Sequence, residues 1–227
     1  MPTLDACSID TNNLFFGVAR REKNGQLIVP ISTDAHSFSY ATRLRFQLGQ
    51  DQHRMLQSPF GFNALMEGQP KDTPRRNMDL TPTPELEAKL NELDRWVNEN
   101  ASARSQDFFK TVTLNKQHVP TVRILQNGTK IVRVKVPVGT NAADVSTIEP
   151  NGVVRPADWT KLGRGLKVIA IVDTPGIWHN PTQFGISLTA RQLLIEETAV
   201  AAGLSAFNLA PGLVEEALTE DGEMMFA

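Results

Sequence analysis

The chain has a single cysteine, Cys7, so it holds no intramolecular disulfide framework and no cysteine-based zinc site, and a reducing compartment is the natural expectation. Cys7 lies in a polar stretch with no adjacent histidine or basic group, which argues against a catalytic thiolate. The opening residues Met-Pro-Thr-Leu-Asp carry neither a basic region nor a long apolar run, so no secretion signal is expected and the location is read as intracellular. The apolar run Val168 to Val172 is far too short to span a bilayer, and no membrane partner is expected. The four histidines, His36, His53, His118 and His179, are scattered and form no H-x-x-x-H or H-E-x-x-H pair, so neither a metal nor a cofactor is expected. After Arg191 there is no lysine or arginine at all.

That last absence gives the charge its meaning. The net charge of the 227 residues is −2. Residues 196–227 hold seven acids, Glu196, Glu197, Glu215, Glu216, Glu220, Asp221 and Glu223, which leaves 23 bases against 18 acids, or +5, in residues 1–195. A basic body followed by an acidic segment is an asymmetry that marks polyanion binding. The length corresponds to one large domain with appendages, and 14 prolines with 15 glycines indicate many turns rather than a helical bundle.

Alternation and turn residues predict mostly strands. Leu14 to Val18 and Gln26 to Val29 flank Lys23-Asn24-Gly25, a hairpin signal because both turn residues tolerate positive φ. Phe38 to Leu48 reads as a strand with Arg43 and Arg45 alternating against Leu44 and Phe46, and residues 49–76 read as a long polar loop. Thr83-Pro84-Glu85 opens a helix over about residues 84–100, with Leu86, Leu90, Leu93, Trp96 and Val97 on one apolar face, and Phe108-Phe109 sits on a second short turn. Val119 to Leu125 and Lys130 to Val138 form a second hairpin through Asn127-Gly128. There Val132, Val134 and Val136 share one face, while Ile131, Arg133 and Lys135 share the other, onto which Arg123 projects. Asn151-Gly152 marks a turn, and Leu166 to Asp173 and Phe184 to Ile195 complete the strands. Many short strands around one inserted helix suggest a small β-barrel.

Asp173-Thr174-Pro175-Gly176 after an apolar strand resembles a magnesium-holding GTPase element, but no phosphate-cradling G-x-x-x-x-G-K-[S/T] precedes it, so Thr174-Pro175-Gly176 is read as a turn. No acid pair stands out, and nothing in the sequence asks for an enzyme. Basic residues interleaved with aromatics are more specific. Arg155, Trp159, Lys161, Arg164, Lys167, Trp178, Phe184 and Arg191 follow Arg123, Lys130, Arg133 and Lys135. Single-stranded nucleic acid needs cations along its backbone and flat faces for its bases, and one barrel face supplies both. Trp159 and Trp178 fit the core equally well.

Lys161 to Val172, then Gly176-Ile177-Trp178, then Phe184-Gly185-Ile186-Ser187-Leu188-Thr189 through Leu193, with Gln192 at the motif's final Gln position, resemble the closing strands of viral single-stranded DNA-binding proteins of large nucleocytoplasmic DNA viruses. Phage OB-fold single-stranded DNA-binding proteins share a looser version with an acidic end. The matching order extends over residues 80–195. Leu188 stands where relatives tend to have Trp, and Ala227 follows the terminal aromatic Phe226. The resemblance implies a mainly β OB-fold barrel over residues 1–195 with an inserted helix, then a flexible acidic C-terminal tail, 196–227. It implies sequence-independent binding of single-stranded DNA in replication, recombination or repair. Trp178 and Phe184 are then the stacking residues. Glu215, Glu216, Glu220, Asp221, Glu223 and Phe226 become a tail that competes with DNA and recruits replication proteins such as a polymerase or helicase, and a homodimer is favoured. A protein-interaction module and an RNA-binding OB-fold protein fit the same residues.

Overall fold

The computed structural model describes residues 3–21, 27–51, 53–61, 75–111, 113–138, 142–149, 151–157 and 165–196, which lie within the compact unit Met1–Glu197. The described chain runs through short strands β1 (Leu4–Asp5), β2 (Phe15–Phe16), β3 (Arg20–Arg21), β4 (Leu27–Val29) and β5 (Ile31–Ser32), then β6 (Leu44–Leu48), β7 (Leu56–Ser58) and β8 (Arg75–Leu80). Helices α1 (Pro84–Ala103) and α2 (Ser105–Phe109) follow. Next come β9 (Gln117–Val119), β10 (Val122–Ile124), β11 (Lys130–Pro137), β12 (Asp144–Ile148) and β13 (Val154–Pro156). The chain ends on β14 (Leu166–Thr174), β15 (Ile177–His179), β16 (Gln183–Ile186) and β17 (Leu188–Glu196).

Ten of these strands form one sheet, in the order β1-β6-β14-β17-β11-β10 with β7, β8, β12 and β13 attached to its sides. β3-β4-β15-β16-β9 make a second sheet, and β2 pairs β5. No ladder among the described residues joins β10 back to β1, so the expected closed barrel is replaced by an open, branched sheet. The long strands change neighbours along their length: β14 pairs β7 through Leu166–Val168 and β6 through Ala170–Thr174. A terminal strand as short as β1 presents too few groups to continue a ladder around a ring.

α1 begins where the sequence predicts. The Thr83 hydroxyl accepts from the Leu86 amide, Pro84 occupies the first turn, and Glu85 and Glu87 face the positive end of the helix dipole. The helix runs three residues beyond Asn100, to Ala103, because Ala101 still packs into the core. Leu86, Leu90, Leu93 and Val97 are buried, each contributing about 1.5–3 kcal/mol of burial. Trp96 is only partly buried and stacks on Phe16 at 4.3 Å between ring centroids.

The expected strand over Phe38 to Leu48 begins only at Leu44, and Tyr40–Thr42 is a 3₁₀ turn. Residues 49–76, expected as loop, contribute β7 and the start of β8, which are held by long-range pairing to β14 and β11. The expected strand Phe184 to Ile195 is two strands, β16 and β17, which belong to different sheets. The first hairpin is present as β2 and β3 returning through β4 and β5, and its Asn24-Gly25 tip lies outside the described residues. The β10–β11 hairpin puts Arg123 opposite Ile131, on the face expected for it, but the expected strand Val119 to Leu125 is divided: β10 covers only Val122–Ile124, and Val119 ends β9, which pairs β16 in the second sheet.

Candidate nucleic-acid interface

Alternation along β11 turns Val132, Val134 and Val136 into the core, which leaves Arg133 and Lys135 on the outer side with Arg123 beside them on β10. Arg133 lies directly opposite Asp79 of β8 and forks onto it, with Nε donating to Oδ1 at 2.7 Å and an Nη to Oδ2 at 2.8 Å. The hydrogen bond to buried Asp79 holds the Arg133 guanidinium above its ordinary range. Arg123 is different. Desolvation lowers it, and the neighbouring Arg133 charge lowers it further against a partial offset from Asp79. Among the described residues Arg123 makes no hydrogen bond and no ion pair. A guanidinium in that state is a ready partner for an anion.

Trp178 faces these cations from the second sheet. It sits directly opposite Gly185 on β16, and a Cβ on Gly185 would lie 3.4 Å from the indole and 2.8 Å from the Val119 carbonyl, so only glycine lets the strands and the ring come this close. Gly176 allows the turn from β14 into β15: its φ is +143°, and a Cβ there would strike the Val29 carbonyl. The turn read from the sequence at Thr174-Pro175-Gly176 is narrower in the structure: Thr174 is the last residue of β14, paired with Leu44, and Pro175-Gly176 alone make the connection. Arg123, Arg133, Lys135 and Trp178 line one pocket of about 80 Å³ with Thr121 and Leu188 among its walls. Leu188 itself is core, 1% exposed. The pocket offers a partly open indole beside two guanidiniums and an ammonium, the groups that receive a base and its phosphates.

A second cationic centre lies further across the same outer face. Asp173 on β14 is 1% exposed, and it accepts from Arg45 Nε on β6 and Arg191 Nε on β17, both at 2.6 Å. Burial pushes this carboxyl up, but the two arginine hydrogen bonds outweigh burial and hold it below the usual carboxylate range. The β14–β17 register slips here: Ile171 faces Gln192 and Val172 faces Ala190, so Arg191 is an extra residue. Both Arg191 and Gln192 consequently point outward, and the β-bulge aims Arg191 at Asp173. The sequence reading assigned Arg191 but missed Arg45 and Asp173, whose meeting depends on three strands coming together.

The remaining predicted residues are not gathered at this face. Phe184 is a correction: it is 0% exposed, with its ring 5.4 Å from Phe109 and 5.2 Å from His118, so no face is open to a base. Its neighbours on β16 pair on both sides, which turns the ring into the core. Lys130 alternates to the other side of β11 and pairs Glu87 of α1 at 2.7 Å. Arg155 lies on edge strand β13 and pairs Glu149 at 2.7 Å, and Lys167 pairs Glu196 at 2.8 Å at the far end of β14. Trp159, Lys161, Arg164 and the tail residues Glu215, Glu216, Glu220, Asp221, Glu223 and Phe226 lie outside the described residues.

No protein-family model matches the chain, and no curated protein matches it. Among solved structures it is similar to gp2.5, a single-stranded DNA-binding protein encoded by bacteriophage T7, at 15% identity over 82% of this chain and 100% of that one, with a TM-score of 0.45. It is also similar to the single-stranded DNA-binding protein of bacteriophage Enc34. The match to the Enc34 complex with single-stranded DNA is at 8% identity over 78% of this chain and 93% of that one, with a TM-score of 0.41. The match to Enc34 alone is at 9% identity over 84% and 97%, also with a TM-score of 0.41. At identities this low the functional reading rests on this chain's own residues.

Proposed function

We propose that the protein binds single-stranded DNA without sequence preference, through the outer face that carries Arg123, Arg133, Lys135 and Trp178. One observation carries the reading: Arg123 has no hydrogen bond or ion pair among the described residues, and it opens with Lys135 onto the pocket lined by the Trp178 indole. A cation left without a protein partner beside an aromatic ring is costly to keep, and an incoming phosphate and base satisfy both at once. No catalytic step is needed for this role. The pattern Lys161 to Gln192, similar to viral single-stranded DNA-binding proteins, supports a place in replication, recombination or repair, with the acidic segment 196–227 competing with DNA and receiving partner proteins.

The test is a titration of tryptophan fluorescence with oligo-dT at low and high salt, beside matched duplex DNA and poly-U. Quenching that favours oligo-dT and weakens steeply with salt is the expected result. Absence of any response to nucleic acid would overturn the proposal and favour a protein-interaction module.

A further inference from the structure

Tyr40 is 51% exposed, the largest exposure of any described aromatic ring among the large apolar side chains. It opens the 3₁₀ turn that leads into β6. Three guanidiniums surround it: the Cζ atoms of Arg191, Arg43 and Arg45 lie 4.9, 5.2 and 5.8 Å from the ring centroid. Arg45 and Arg191 are the pair held by Asp173. Two guanidiniums against one carboxylate leave one positive charge in excess at a buried anchor. Arg191 gives Asp173 only its Nε, and among the described residues its Nη groups make no hydrogen bond.

An aromatic ring needs no such surroundings to be stable, since water solvates an exposed tyrosine well. Cations packed over the ring do two things. They fix its orientation through cation–π attraction, and they gather positive charge within reach of whatever meets the exposed half of the side chain. A nucleotide is the ligand whose parts match this arrangement, with a flat base for the ring and a phosphate for the Arg191 Nη groups.

We infer that Tyr40, with Arg45 and Arg191 fixed by Asp173, is a second nucleotide station, where a base stacks on the tyrosine and its phosphate meets the arginines. The inference rests on the proposal that this face binds single-stranded nucleic acid. Asp173 acts as a positioning residue and touches no nucleotide. Register links the two stations: Arg45 pairs Asp173, Asp173 pairs Thr189, and Thr189 pairs Lys135. Three interstrand steps place Lys135 about 14 Å from Arg45, the length of about four stacked nucleotides. One strand therefore crosses β6, β14, β17 and β11 to occupy both.

Tyr40 is the single tyrosine of the chain, so full-length protein carrying 3-fluorotyrosine has one fluorine resonance. We would titrate it with oligo-dT of about 12 nucleotides and with an abasic oligomer of the same length, following tryptophan quenching in parallel. The expected result is a resonance shift with oligo-dT that the abasic oligomer does not reproduce. Tyr40→Leu should weaken oligo-dT binding about 5- to 100-fold, while Tyr40→Phe stays within about twofold. Asp173→Asn removes a negative charge from a cationic face, so a purely electrostatic role predicts tighter binding and the positioning role predicts weaker binding. Thermal melting checks that this variant folds, and Tyr40→Leu decides the matter if it does not. Tryptophan quenching by oligo-dT with an unmoved fluorine resonance and a wild-type Tyr40→Leu affinity would overturn the station and leave the proposed function standing. Loss of both signals would overturn the proposed function, and this inference with it.

Discussion

Asp94 of α1 accepts twice from Thr121, from its amide and from its hydroxyl, both at 2.7 Å, and so ties the helix to the residue that precedes β10 and Arg123. Asp94→Ala would leave both buried donors unsatisfied and cost about 2–3 kcal/mol. Asp94→Asn keeps an acceptor and should cost less. Thermal melting of the two variants ranks them, and an Ala variant as stable as the parent would refute the tie.

Phe184 belongs to the core, so its truncation is a stability lesion. Phe184→Ala should lose about 3–5 kcal/mol, which lowers the melting temperature by about 6–20 °C for a chain of this size. Phe184→Leu should lose less and retain oligo-dT affinity once folded. A Leu variant that folds normally and binds far more weakly would return the ring to the interface.

Arg123 and Arg133 are neighbours with different duties. Arg123→Ala should weaken oligo-dT binding and reduce the salt slope by about one phosphate contact, with little change in melting. Arg133→Ala instead strands the Asp79 carboxylate, whose side chain is 3% exposed, and should cost up to about 3 kcal/mol. Adding Asp79→Asn to Arg133→Ala should recover part of that loss. Equal melting temperatures for the two single arginine variants would contradict the division.

Burial holds His179 below the ordinary histidine value of 6.5, with the Lys116 charge adding to the effect. Burial also lowers His118, against an opposing pull from Asp94. The unfolded chain then binds more protons than the folded one just below pH 6.5. Stability is complete above that value and falls as the pH drops through it. Asp94, raised by burial, works in the other direction at lower pH. Melting between about pH 7 and pH 5 should show a decline that His179→Gln reduces. An identical decline in the variant would assign it elsewhere.

The acidic segment is tested by removing residues 211–227, which takes away Glu215, Glu216, Glu220, Asp221 and Glu223. Oligo-dT binding should tighten, most clearly at about 50 mM salt where electrostatic competition is least screened. Unchanged affinity there would end the competition model.

Local signals were legible in the sequence because they are decided locally. The start of α1 follows from Thr83, Pro84 and the two glutamates, and the face of β11 follows from strict alternation. β8 was not legible: Arg-Arg-Asn-Met-Asp-Leu offers only two apolar residues, and it is a strand because β11 pairs it along six positions. Phe184 and Trp178 were indistinguishable as stacking candidates, because whether a ring faces inward depends on what covers it. In the sequence Tyr40 reads as part of a strand, and Asp173 as the end of one. Their significance arises only when β6, β14 and β17 lie side by side.

The β-bulge at Arg191 bears on how such a surface can change over generations. Deleting Arg191 alone would restore regular alternation, with Ala190 inward, Gln192 outward and Leu193 inward, and no core residue would change sides. A single codon therefore adds or removes this guanidinium while the hydrophobic interior stays as it is, so the binding face and the scaffold beneath it are free to evolve at different rates.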